Sequence, residues 1–164
     1  MLALDSFRSI RFAWHHIISR LTDKSLNSFY YTLGYTAFDH LRWMAVTARL
    51  ALGCIPPSLK GFTIFLSIDD TMVGKYGAKF QACSKLFDHA AHNGSSYLND
   101  HCFVSIMLHV PFQSADGIIY LSIPLGYRLW TKKLSKLELA ADMVRSVMAV
   151  LAPCSQVILL CDSC

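Results

Sequence analysis

Two acidic groups in this sequence stand where carboxylates can do chemistry. Asp69-Asp70-Thr71 closes the mostly apolar run Phe62 to Ile68, and Asp162 closes a second run, Val157 to Cys161. If the two runs are neighbouring strands, their acids repel each other and are costly to keep ionised without a cation. Hard oxygen ligands of that kind suit Mg²⁺ or Mn²⁺, which keep several waters and bridge to substrate phosphates. Two such ions, ~3.5 to 4 Å apart, serve the attacking and leaving oxygens of an in-line phosphoryl displacement. The bland alternative is a strand-end turn at 69–71 and a capping or chain-end residue at 162. Period-two alternation sets Asp69 with Thr63, Phe65 and Ser67, and Asp70 with Phe62, Ile64, Leu66 and Ile68. The more polar face favours Asp69 as a metal ligand beside Asp162, although a bulge at the strand end would bring Asp70 in instead.

The elements around these acids predict that the two strands are neighbours. After Lys60-Gly61 the pattern turns to β-favouring residues: a first strand over 62–68, a second from Cys102 to Val110 closed by Pro111, and a third from Ile118 to Ile123 running toward Trp130. The turn signal Ser114-Ala115-Asp116-Gly117 makes the second and third antiparallel neighbours. Ser135-Lys136-Leu137-Glu138 fits a capping box, with Leu134 and Leu139 as the accompanying staple. Beyond it Leu137, Ala141, Val144, Met148 and Leu151 form one apolar face, until Pro153 ends the helix. A strand, a long helix and a further strand imply a right-handed parallel crossover. Returning the last strand beside the first gives a mixed sheet and brings its acids together.

Residues upstream of Pro56-Pro57 read as two or three helices, capped in part by Thr22 or Asp23, with a stripe through Phe29, Leu33, Ala37, Leu41, Met44 and Ala48. The paired prolines mark the boundary between a helical region, 1–57, and a strand-rich region, 58–164. Residues 1–60 carry seven Lys and Arg against three Asp, whereas 61–164 balance eight against eight. The excess suits phosphates, and equally an ordinary solvated helix surface.

Composition excludes two classes. Hydrophobic residues make up 54% and charged residues 16% of the 164, which rules out intrinsic disorder. Mean hydropathy is +0.38, yet no run approaches the ~18 apolar residues a bilayer span needs. Without a signal peptide, the expectation is a cytoplasmic protein, off the membrane, whose six cysteines are reduced thiols.

Four segments in order resemble a known family: Ile68-Asp69-Asp70-Thr71, Tyr127-Arg128-Leu129-Trp130, Ser135 to Ala140, and Leu159-Leu160-Cys161-Asp162-Ser163. They look like the catalytic domain of bacterial DDE transposases of the insertion-sequence type, over about residues 60 to 164. The resemblance implies a ribonuclease H-like fold, divalent-metal-dependent nicking and strand transfer at transposon ends, a homodimer as the complete protein, and a location at the bacterial nucleoid. It selects Asp162 as a ligand, and an Asp-x-Thr pattern again selects Asp69 with Thr71. The family's third acid, a Glu on a helix after the second Asp, has no counterpart here. The only glutamate, Glu138, precedes Asp162 and belongs to the capping box. The expectation is therefore a transposase truncated after its second acid and without strand-transfer activity. A non-catalytic DNA-binding fragment and a different ribonuclease H-like nuclease are the alternatives.

Basic residues near the acids could track DNA: Lys75 and Lys79 with Tyr76 and Phe80, and Arg128, Lys132 and Lys133. Other motifs fall short. Cys83, His89, His92 and His101 match no zinc-finger spacing, and Cys161-x-x-Cys164 has no helix after it to lower a thiol pKa.

Overall fold

A computed structural model of the chain describes residues 9–74, 80, 82–87 and 97–161, with the backbone alone for Ser84, Phe87, Tyr97 and Leu98. Lys75, Lys79, His89, His92 and Asp162 lie outside the described residues. The chain divides into two compact units between Phe38 and Asp39.

The first unit holds two short helices, α1 (Ile10–His16) and α2 (Leu26–Tyr35). Each starts at a serine whose hydroxyl accepts a backbone N–H three residues on: Phe12 N at 3.0 Å from Ser9, and Ser28 N at 3.3 Å from Ser25. The cap of α2 is thus Ser25 itself, and Thr22 instead accepts from the Lys24 N–H. Trp14 and Phe29 pair their rings across the two helices, with centroids 5.8 Å apart.

The expected stripe from Phe29 to Ala48 falls on two helices. Asp39 interrupts it, accepting the Arg42 N–H at 3.0 Å and starting α3 (His40–Gly53) in the second unit. The helix α3 therefore packs with the sheet domain, although the proline boundary would place it with the N-terminal helices. Met44, Ala48 and Ala51 of α3 join the core there.

The second unit is α/β, built on a mixed five-stranded sheet: β1 (Ile64–Gly74), β2 (Ser84–Phe87), β3 (Tyr97–Ser114), β4 (Gly117–Leu129) and β5 (Val157–Cys161). β3 lies antiparallel to β1 on one side and to β4 and β2 on the other. β5 returns parallel to β1 after α4 (Lys136–Leu151), pairing Ile64 with Val157 through Ile68 with Cys161. The expected crossover is present. β2 is an additional strand, between the first two expected ones. β3 also runs past Pro111 to Ser114, because β1 pairs with it only as far as His109. A proline without its N–H is tolerated where a strand has one side unpaired.

Both α3 and α4 cover one face of the sheet, where Ile64, Leu66, Val104, Ile106, Leu108, Val110 and Leu125 are buried. The helix α4 presents Leu139, Ala140, Met143, Val147 and Leu151 to them. That corrects the expected face: Leu137 is 81% exposed and Met148 49%. A helix this apolar offers two overlapping stripes, and packing against β3 and α3 takes the one centred on Met143. The opposite sheet face carries a polar line across three strands, in which His109 bonds Ser67 through Nε2 and Ser122 through Nδ1, both at 2.8 Å. Among the described residues, no helix is long and apolar enough to cross a membrane.

Candidate functional site

The sequence expects its acids at the end of the first strand, but β1 runs on to Gly74 with Thr71 to Gly74 still paired to β3, so both acids lie within the strand and the fold decides which way each faces. Ile64, Leu66, Ile68 and Asp70 alternate onto the face covered by α4, while Phe65, Ser67 and Asp69 take the other. No irregularity interrupts the β1–β3 register, in which Asp69 lies opposite Ser105 and Asp70 opposite Val104. Asp69 is exposed, and its backbone carbonyl accepts the Ser105 hydroxyl at 3.1 Å. Asp70 is partly buried beneath the first turn of α4. Both acids line a cavity of about 80 Å³, whose other walls are Ile68, Val104, Lys136, Leu137, Ala140 and Cys161.

Asp70 is not alone there. The ammonium of Lys136 donates to its Oδ2, and the Cys102 thiol lies 3.7 Å from the same oxygen. Three local devices deliver Lys136. β4 is antiparallel to β3 and so runs with β1, which means that a helix following β4 starts at the end where β1 finishes. The connection is tied at Trp130, whose backbone N–H donates to Cys102 O at 2.8 Å and whose indole N–H donates to Leu134 O at 2.7 Å. The expected capping box then fixes the first turn: Ser135 Oγ accepts the Glu138 N–H at 3.1 Å, and Glu138 Oε2 accepts the Ser135 N–H at 2.7 Å. Lys136 is the first residue inside it, with Nζ 5.3 Å from the Trp130 ring centroid.

The charges follow from this packing. Burial works to lower the Lys136 pKa, but the hydrogen bond to Asp70 and the nearby charges outweigh it, and the group sits above its ordinary value of 10.5. Burial pushes the Cys102 thiol up; Lys136 partly opposes this and Asp70 adds to it. Near neutral pH, Asp70 therefore faces an ammonium and a protonated thiol. Further along the same face, Asp100 is buried, and its Oδ1 has no hydrogen-bond partner among the described residues.

The basic residues expected to contact DNA divide three ways. Arg128 is partly committed, with Nη1 3.7 Å from Asp142 Oδ2, while Arg145 holds the other Asp142 oxygen at 2.7 Å. Lys132 is exposed, 5.9 Å from the Trp130 centroid, with a left-handed backbone at φ 65°. Lys133 is exposed beside it. Lys75 and Lys79 lie outside the described residues.

Sequence reasoning named both acids, favouring Asp69, and found the capping box, but assigned Lys136 no role. The signal was available: a capping box fixes Lys136 at the first helical position, and a strand parallel to β1 feeds that helix. As arranged, the described residues do not form a divalent-ion site by themselves. One carboxylate faces inward, an ammonium holds one of its oxygens, and no group of three metal-ligating side chains occurs among the described residues. No protein-family model matches the chain, and neither a curated protein nor a solved structure matches it.

Proposed function

We propose that residues 58–164 are the ribonuclease H-like part of a DDE-type DNA transposase that works at transposon ends in the bacterial nucleoid. The observation that supports this most directly is the position of Asp70. It lies on the strand flanked on one side by an antiparallel meander and on the other by a parallel strand returned through a helix, two residues beyond the last β5 pairing at Ile68. In this reading Asp70 is the acid of the Asp69-Asp70 pair that faces the reacting phosphate, and Asp162 is the second acid. Mg²⁺ or Mn²⁺ is the proposed cofactor, on the strength of the resemblance and of the hardness of carboxylate oxygens. The chain's own contribution is to hold Asp70 beneath the first turn of α4 and to leave Lys132 and Lys133 exposed on the β4–α4 connection.

DNA is the proposed partner, through these lysines together with Lys75, Lys79 and Arg128, and through the basic N-terminal helices. Binding of a mixed-sequence duplex, followed by fluorescence anisotropy from 50 to 200 mM salt, tests the reading. Affinity dominated by phosphates falls steeply and linearly in log–log form over that range. Absence of binding at 50 mM salt would remove DNA as the partner.

A further inference from the structure

We propose that a cavity between the C-terminal ends of α3 and α4 binds a medium-chain alkyl carboxylate, with Arg49 and Lys60 holding the head group and aliphatic side chains the tail. The cavity opens where β1 begins and shares no lining residue with the cavity at Asp70. It therefore stands apart from the reading of that acid.

The cavity measures about 430 Å³, a size usual for small-molecule sites, and lies wholly within the second unit. Leu52, Ile55, Ile64 and Val150 give it an aliphatic wall. Among the described residues no aromatic side chain lines it, so it offers a planar ring nothing to stack on and suits a flexible alkyl chain better. Gly53 keeps part of the space open. It closes α3, and a Cβ built there meets no atom within 4 Å.

The charge at the cavity is one-sided. Arg49 and Lys60 both line it and both are exposed, and neither makes an ion pair among the described residues. No acidic side chain lines the cavity. Helix C-termini would favour a cation through their unsatisfied carbonyls. Here those carbonyls are occupied: Cys54 and Ile55 donate N–H to the last turn of α3, and Ala152 and Cys154 to that of α4. The guanidinium of Arg49 can take a carboxylate through two parallel N–H donors, and Lys60 adds a point charge. Long cationic side chains keep their heads in water. The polar end of an amphiphile thus meets them on the solvent side, and its tail meets the aliphatic wall.

Isothermal titration calorimetry with sodium octanoate, below its micelle concentration, tests the site. Octanoate should bind saturably and about tenfold more tightly than uncharged octanol, the scale of one charged hydrogen bond. Octyltrimethylammonium should bind more weakly than either. Arg49→Gln and Lys60→Gln should each lower octanoate affinity several-fold and leave octanol unchanged. Gly53→Leu fills the cavity at a position with room for a side chain, and should abolish binding of both. Cys154 lines the same cavity and reports on it in the unsubstituted chain, whatever the variants do. Saturating octanoate should slow its alkylation by N-ethylmaleimide several-fold, followed by mass spectrometry, while the exposed Cys54 and Cys161 react as before. Equal affinities for octanoate and octanol overturn the assignment of an anion. No saturable binding, an unchanged rate at Cys154, or binding that survives Gly53→Leu overturns the site.

Discussion

Lys136 and Asp70 are 66 residues apart in sequence and bonded Nζ to Oδ2, which ties the first turn of α4 to the far part of β1. The bond joins the two elements that the crossover must bring together. β5 can reach its place beside β1 only if α4 lies across the sheet, and the pair fixes the end of α4 where that path begins.

The pair should contribute to stability in a pH-dependent way. Lys136 sits above its ordinary value of 10.5, so its contribution is fully present below that pH and is lost as pH rises through the folded value. Both side chains are partly exposed, at 37% and 24%, so solvent discounts the interaction. A double-mutant cycle of Lys136→Gln and Asp70→Asn, by urea denaturation at pH 8, should give a coupling of about 1 kcal/mol. The stability difference between Lys136→Gln and the unsubstituted chain should hold from pH 7 to 10 and shrink above it. A difference unchanged at pH 11.5 would show that the ion pair is not its source.

What the sequence made legible was local. The capping box needs four consecutive residues, and Ser135 and Glu138 make both of its bonds. The crossover followed from strand, helix and strand in order, and β1 and β5 are parallel as that order requires. Choices settled between distant segments were not legible. Two apolar stripes compete on α4, and only the shape of β3 and α3 selects Met143 over Met148. The orientation of Asp69 and Asp70 was readable as alternation, but which face α4 would cover was not. A polarity argument favoured Asp69, whereas the ion pair with Lys136 lies on the more apolar face, beside Ile68 and Val104. An acid among apolar residues is the one that needs a partner.

The first turn of α4 offers a second pH-dependent test. The Ser135 backbone N–H, and then its hydroxyl, hold the Glu138 carboxyl below its ordinary value of 4.5. Such a group stabilises the fold above about pH 4.5 and loses that contribution as pH falls through its folded value. Ser135→Ala should cost about 1 kcal/mol at pH 7, the usual loss for an N-cap hydroxyl. Glu138→Gln should be less stable than the unsubstituted chain at pH 7, and the two should converge toward pH 3. Parallel stability curves across that range would show that the cap is not working through the carboxylate.

The meander contains one irregularity whose removal has a defined outcome. Ile106 lies opposite Gly126 and Met107 opposite Pro124, which leaves Leu125 as the extra residue of a bulge, buried in the core. A Cβ at Gly126 would come within 3.0 Å of Met44 Cγ, so α3 approaches β4 closely there. Leu125→Ala should cost about 2 to 4 kcal/mol by urea denaturation, as for other buried leucines. Deleting Leu125 closes the bulge and keeps the pairings from Met107 with Pro124 to Ser114 with Gly117, because directly opposite residues already share a face. The deletion variant should still unfold cooperatively, with its midpoint lowered about as far as in Leu125→Ala. Loss of the cooperative transition would show that the bulge itself sets the register.

Phosphate contacts on the β4–α4 connection can be separated from structural ones by salt dependence. Lys132 has a left-handed backbone, so Lys132→Gly removes the charge at a position that glycine accepts without strain. Lys133→Ala removes an exposed charge. If each lysine neutralises one phosphate, each substitution should lower the slope of log affinity against log salt by about 0.9. Arg128 is already partly committed to Asp142 at 3.7 Å. Arg128→Ala should therefore change that slope less, and shift the urea midpoint more, than either lysine substitution. Anisotropy titrations at four salt concentrations measure the slopes. Unchanged slopes for both lysine variants would move the DNA path away from the β4–α4 connection and onto other basic segments, including the N-terminal helices.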